Sequence, residues 1–291
     1  NEESAWWDSL TFAYPKLLVI KSAGNSNGDF FSGEHYLYEP YQGKENGKWQ
    51  YRLKKSTKER AVDGGLASFD CLAPSALAKN CLTVGAVQMV NGQYQLVANS
   101  SVGPTDDGRV KPDVVAYGEQ TSQSAAAVAA GAALIAQSFK LNFNADIPAV
   151  LHKNFLISGA IDIDSVLGPS YQSGWGVVNI KASLALMGVK NWHLLKLQAA
   201  QVFEKEVLVT ADTCKVTLVW HDAAAKPIPF SLSSGLLNAP RPMLVNDLDL
   251  EVVDVTNQLQ VFYPFCLDSK HPAKEPLRAP NHVDNVEQVV L

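Results

Sequence analysis

Two short stretches put side chains suited to acyl-transfer chemistry where the chain itself would hold them. Ser22-Ala-Gly-Asn-Ser-Asn-Gly28 directly follows the apolar run Leu17-Leu-Val-Ile20. An Asn amide at a rigid strand end, here Asn25, is a neutral N–H donor that can be aimed at an oxyanion before the substrate arrives. The same Gly-Asn pair is also an ordinary turn signal. Further on, Thr121-Ser122 opens an Ala-rich run that continues through Phe139. A Thr/Ser pair ahead of such a run reads as the N-cap of a close-packed, buried helix. A hydroxyl there also sits in the positive end of the helix dipole, which favours a developing alkoxide. Ser122 is therefore both a candidate cap and a candidate nucleophile, with Ser124 as the alternative position.

A Ser nucleophile needs a general base and a group to orient that base. The six histidines are His35, His152, His193, His221, His271 and His282. His35 lies in a Gly-Glu-His-Tyr segment, His152 inside a helical pattern, and the other four in the last third of the chain. Each reads as a surface or internally satisfied histidine. No G-x-S-x-G elbow is present, which argues against an α/β-hydrolase.

Other groups suit cation binding. Leu244-Val-Asn-Asp-Leu-Asp-Leu-Glu-Val-Val253 alternates with period 2, which would place Asp247, Asp249 and Glu251 on one strand face opposite Leu248 and Leu250. Such carboxylates, with Asp284 as an additional candidate, could ligate Ca²⁺ through hard oxygens; a solvated acidic face is the plainer reading. The four cysteines (Cys71, Cys81, Cys214 and Cys266) form no CxxC pair and have no His at zinc spacing. Their spacing allows two local bridges, Cys71–Cys81 and Cys214–Cys266, or four free thiols.

The elements that must position these groups fall into two regimes. Apolar runs ending at Ile20, spanning Cys81–Gln88 and spanning Lys111–Ala116 alternate with helical patterns, which predicts a parallel α/β sheet. Residues 29–70 show little periodicity and read as a long loop insertion. Near residue 192 the pattern changes to short alternating strands, such as Lys215–Trp220, joined by Pro/Ser/Gly-rich connections. That predicts a smaller antiparallel β-sandwich. The expected division is 1–191 and 192–291, with no internal repeat.

Composition closes off several functions. The 291 residues are 47% hydrophobic and 18% charged, with mean hydropathy −0.03, so a sizeable core can form. A net charge of −5 and a pI near 5.7 argue against a nucleic-acid binder. The basic run Arg52–Lys55 is offset by neighbouring acids and reads as solvated. No apolar stretch reads as a membrane span, and the N-terminus shows no signal-peptide pattern.

Four further segments, in order, carry a resemblance. Ala78-Lys-Asn-Cys-Leu-Thr-Val-Gly-Ala-Val87 resembles the strand "AKN-x-[IL]TVGAV" of subtilisin-like serine peptidases (subtilases). Asn99-Ser-Ser-Val-Gly-Pro-Thr-Asp-Asp-Gly-Arg-Val-Lys-Pro-Asp-Val-Val-Ala116 resembles "FSSRGPTxDGRxKPDVVAPG". Thr121–Gly131 resembles the nucleophile helix "GTSxAxPxVAG", and Gly174-Trp-Gly-Val-Val-Asn179 the closing "GWGxVN". The resemblance spans about residues 10–190. Leu244–Leu250 and Asn281–Gln288 extend it into the β-sandwich that follows the peptidase domain in some members.

The resemblance implies the C-terminal part of a secreted serine endopeptidase acting on polypeptides. Ser122 would be its nucleophile and Asn25 its oxyanion donor. The family's "D[ST]G" and "HGTxVAG" motifs, which carry the triad Asp and His, precede the Asn and do not occur here. Other departures lie at the nucleophile. Gln120 stands where the pattern has Gly, Ala126 where it has Pro, and Ala130 where it has Gly. Tyr117-Gly-Glu-Gln120 replaces a longer connection. These departures favour the other expectation, a non-catalytic pseudo-peptidase or binding module.

Overall fold

The computed structural model describes residues 2–42, 49–57, 60–61, 68–227, 241–257 and 259–291. In chain order its elements begin with α1 (Glu2–Ala13), β1 (Ile20–Ser22), β2 (Phe30–Phe31), β3 (His35–Gln42), β4 (Trp49–Ser56) and β5 (Arg60–Ala61). After a short 3-10 turn at Pro74–Leu77 come β6 (Leu82–Val90), β7 (Gln93–Leu96), β8 (Val114–Tyr117), α2 (Thr121–Phe143), α3 (Ala149–Ser158) and α4 (Ile180–Val189). The remainder holds β9 (Lys215–Val219), β10 (Val252–Asp254), β11 (Gln260–Phe262), β12 (Phe265–Cys266), β13 (Leu277–Arg278) and β14 (Val286–Val290).

β6 is the axis of the main sheet. β1 and β8 both pair with it in parallel, in the registers Ile20↔Leu82 and Val84↔Val114, and β7 returns antiparallel with Val87 opposite Leu96. Leu82 to Val87 are buried without a break, as expected of a parallel strand covered on both faces. α2 lies across β1, β6 and β8 and buries Val128, Ala132, Ile135 and Phe139 at helical spacing. α3 and α4 pack on α2 and on each other. The α/β architecture expected for this region is thus the one observed.

Several local expectations need correction. α2 is buried along one stripe only; Leu134 is 56% exposed and Leu141 79%. Small Ala side chains give the helix little apolar surface to bury around its far side. With 23 residues and high hydropathy α2 is, by length and composition, also long enough to cross a membrane. Its apolar stripe here faces the sheet. The segment 29–70, expected to be irregular, carries the antiparallel pairs β3–β4 and β2–β5. Arg52 and Lys54 from β4 converge on Glu39 of β3, and Lys55 meets Glu34, so the basic run is partnered across strands. Such exposed pairs, screened by solvent, contribute little to stability.

In the C-terminal third, β9 pairs antiparallel with β14, β10 with β11 and β12 with β13. The alternating run from Leu244 forms a strand only from Val252. Its earlier N–H groups are taken by side chains instead of a neighbouring strand: Asp222 accepts from Val245 and Asn246 (both 2.8 Å), and Glu287 accepts from Leu250 (2.6 Å). Neither of the two bridges that the spacing allows, Cys71–Cys81 and Cys214–Cys266, is formed. Cys71 and Cys81 are buried, and the Cys71 sulfur receives the Val102 N–H at 3.3 Å.

This third is joined to the rest by buried polar contacts. Lys79 pairs with Asp222 and donates to the carbonyls of Ala223 (2.7 Å) and Met243 (2.6 Å). Asp284 accepts from the Val110 N–H at 2.7 Å. The hydrophobic core is equally continuous, with Val219, Phe265, Val286 and Val290 in one cluster with Leu82, Val84 and Leu156.

Candidate active site

β1 and β8 run parallel to the strand between them, so their C-terminal ends emerge on one edge of the sheet. Parallel α/β sheets place their sites at this edge. β1 leads there into Ala23–Gly28, and β8 leads through Gly118–Gln120 into α2.

Asn25 and the start of α2 meet directly. The Asn25 Oδ1 accepts from the Thr121 N–H (3.0 Å) and from the Thr121 hydroxyl (3.0 Å). The N-cap position, Gln120, offers no side-chain cap. Asn25 supplies that function from 96 residues away in sequence. With Oδ1 committed to Thr121, the Nδ2 donor is the end of the amide left for an acceptor. Asn25 is exposed, so such an acceptor can reach it.

The loop carrying Asn25 is held on its other side. Ser101 Oγ accepts the Ser26 N–H (3.0 Å), the Ser101 N–H donates to Gly24 O (2.9 Å), and the Asn27 N–H donates to Asn99 O (3.2 Å). Gly24 has φ +113, and a Cβ there would lie 2.8 Å from Ser101 Oγ, so this turn requires glycine.

Ser122 follows Thr121 in the first turn of α2 and is exposed. The flanking N–H groups are occupied: Thr121 by Asn25, and Gln123 by Gln120 O at 3.1 Å. The Ser122 N–H has no partner among the described residues. Asn25 Nδ2 and the Ser122 N–H are thus two donors not committed to other described groups at the end of β1 and the start of α2, the polarity an oxyanion needs. Ser124 is buried, and its hydroxyl donates to Ala116 O at 2.9 Å, so the alternative nucleophile position serves as an internal anchor. A Cβ at Gly118 would lie 2.6 Å from that hydroxyl, which explains the glycine before the short connection. Gln120 is extended (φ −141, ψ 153), so this turn demands no glycine where the family pattern has one.

No hydrogen bond among the described residues joins Ser122 to a histidine. His35 contacts Gly33 O, His271 Asp268 and His282 Asp247, while His193 lies against Phe203. His152 is buried and His221 half-buried, and desolvation pushes both imidazoles down to about 4.

The acidic candidates separate. Asp247 and Asp249 lie on the surface and converge on His282, whose Nδ1 is 2.8 Å from Asp247 Oδ2 and 3.7 Å from Asp249 Oδ1. Asp284 is not in this group. It is buried, with its oxygens on the Val110 N–H and the Asn281 amide, and burial pushes its carboxyl up to about 6. Glu287 is buried beside the group. Burial, reinforced by the nearby Asp249 and Asp247 charges, pushes its carboxyl up to about 8, against the Leu250 N–H bond. Neither His282 nor Glu287 was legible as a partner of the aspartates. Both sit in Asn281–Gln288, which signals a strand but not which loop it meets.

The subtilase family model matches residues 4–176, more than half of the chain, and the chain belongs to the subtilase family. Among solved structures, a lanthipeptide protease is 14% identical, with 63% of this chain and 54% of that one covered at a TM-score of 0.41. The CspB protease of Clostridium perfringens is 16% identical, with 56% and 46% covered at 0.41. Fervidolysin from Fervidobacterium pennivorans, a keratinolytic enzyme related to subtilisin, is 16% identical, with 74% and 27% covered at 0.30. This chain therefore spans about half or less of each neighbour. No curated protein sequence matches it.

Proposed function

We propose that this chain supplies the nucleophile and the oxyanion site of a subtilisin-type serine endopeptidase. Ser122 Oγ attacks the carbonyl carbon of a peptide bond. The tetrahedral oxyanion is received by Asn25 Nδ2 and the Ser122 N–H. The observation that carries this reading is the Asn25–Thr121 junction, which ties the donor to the helix that bears Ser122. It fixes both groups before a substrate arrives, which is where oxyanion stabilisation gains its strength. The base that takes the Ser122 proton, and the carboxylate that orients it, would come from sequence upstream of Asn25, where the family carries its Asp and His motifs.

The test is peptide hydrolysis by the natural gene product, with Ser122→Ala beside it. Triad residues act as a unit, and in subtilisin itself loss of the Ser costs about 10⁶ in kcat. A fall of at least about 10⁴ at unchanged folding is expected. Turnover retained in the variant would move the nucleophile away from Ser122, and a parent without turnover would leave the non-catalytic reading, which the absence of a described histidine partner favours, in possession of the site.

A further inference from the structure

The sequence holds three Asn-Gly pairs, Asn27-Gly28, Asn46-Gly47 and Asn91-Gly92. A glycine leaves its own backbone nitrogen open to the side chain of the asparagine before it, which can close on that nitrogen as a five-membered imide. Closure requires the asparagine Cα–C bond to turn, so the surrounding backbone decides which pair can react. Asn46-Gly47 lies outside the described residues. Asn91-Gly92 is the two-residue turn between β6 and β7, with φ +51 and +78 and the rung Val90↔Gln93 closing it. Turning Asn91 would break that rung. Asn27-Gly28 is held more loosely, in the loop that carries Asn25. Its turn is closed by the Asp29 N–H on Ser26 O (3.1 Å), and Asn27 donates its own N–H to Asn99 O (3.2 Å). Neither the Asn27 carboxamide nor the Gly28 N–H has a hydrogen-bond partner among the described residues, and a Cβ at Gly28 would meet nothing within 4 Å.

We propose that Asn27 is a self-modification site, converted through Gly28 to aspartate and isoaspartate. The Gly28 nitrogen attacks the side-chain carbonyl carbon of Asn27 and gives up its proton. A C–N bond forms, the bond from that carbon to the amide NH₂ breaks, and ammonia leaves. Water then opens the imide at either carbonyl, so that position 27 becomes aspartate or isoaspartate. Either product puts a carboxylate two residues from Asn25, in a loop that carries no charged side chain between Lys21 and Asp29. Isoaspartate also adds a methylene to the main chain between Ser26 and Gly28. The chemistry needs only water and is independent of the role assigned to Ser122.

The test ages the folded 291-residue chain in mildly alkaline buffer and maps its peptides by mass spectrometry, with electron-transfer fragmentation to tell isoaspartate from aspartate. Amide-to-acid conversion is expected at Asn27, with isoaspartate among the products, about 10-fold faster than at Asn91. The rate should rise with pH, because the attacking nitrogen must lose its proton. Asn27→Gln would have to close a six-membered ring and should suppress conversion at this position by about 10-fold. The Asn27 carboxamide has no partner to lose, so this variant should keep the circular dichroism of the parent. An Asn27 that stays intact, conversion at Asn91 as fast as at Asn27, or aspartate formed without isoaspartate would each overturn the proposal.

Discussion

Asn25 performs two tasks with the two ends of one amide, and substitution can separate them. Its Oδ1 caps α2 through Thr121, while its Nδ2 is the donor assigned to the oxyanion. Asn25→Asp keeps the acceptor and removes the donor. Asn25→Ala removes both. In the active gene product both variants should lose about 10²–10³ in kcat, a cost known for the corresponding donor of subtilisin. Only Asn25→Ala should also lose stability, by about 1 kcal/mol for the missing cap. Paired kinetics and urea melts check this. Equal stability losses in the two variants, or full activity in Asn25→Asp, would separate Asn25 from the role given to it.

At the scale of elements, α3 carries a pH dependence. His152 is 6% exposed, its Nε2 has no hydrogen-bond partner, and burial lowers its pKa from 6.5 to about 4. The unfolded chain therefore takes up the proton first. The stability this group contributes is fully present above pH 6.5 and is lost as pH falls through 4, at most about 3 kcal/mol. His221 has the same sign. Urea melts between pH 7 and 4 should show the decline, and His152→Phe should shallow it; an unchanged slope would contradict the assignment. Elements of this kind were largely legible. β6 and β8 declared themselves by unbroken apolar runs, and α2 by its Ala-rich run, although Thr121 and Ser122 lie inside the helix and Asn25, not either of them, receives its first N–H. The strand expected from Leu244 did not form, because period-2 alternation reports which way side chains point and not what receives the backbone N–H groups. Here Asp222 and Glu287, 23 or more residues away in sequence, receive them. The same limit hid the meeting of Asp247, Asp249 and His282, since nothing local in 281–288 shows that His282 reaches Asp247. The positions of Ser122 and Asn25 at element ends were legible because those elements announce themselves.

Over the whole molecule, the proposed division at 191/192 is crossed by charge as well as by core. Lys79 and Asp222 are almost wholly buried and satisfy one another, and Asn80 accepts the Asp222 N–H at 2.9 Å. Removing one partner of such a pair costs about 3–5 kcal/mol. Asp222→Leu should therefore destabilise residues 1–191 as much as the rest, in a single unfolding transition followed by fluorescence and circular dichroism. Two transitions, with only the later one shifted, would show independent units. The motifs that carry the family resemblance largely build this frame. Lys111 and Lys153 are both held by the buried Asp113, at 2.5 and 2.9 Å. The chemistry proposed above is assigned to Ser122 and Asn25 on its edge. The most direct measurement of that claim is reaction with a fluorophosphonate, mapped by mass spectrometry, on the 291-residue chain and on a longer product in which an upstream segment bearing the family's Asp and His motifs is joined to it. The account predicts rapid labelling at Ser122 in the longer product, and labelling of the isolated chain no faster than its Ser122→Ala variant. Rapid labelling of Ser122 in the isolated chain, or labelling of the longer product at another serine, would contradict it.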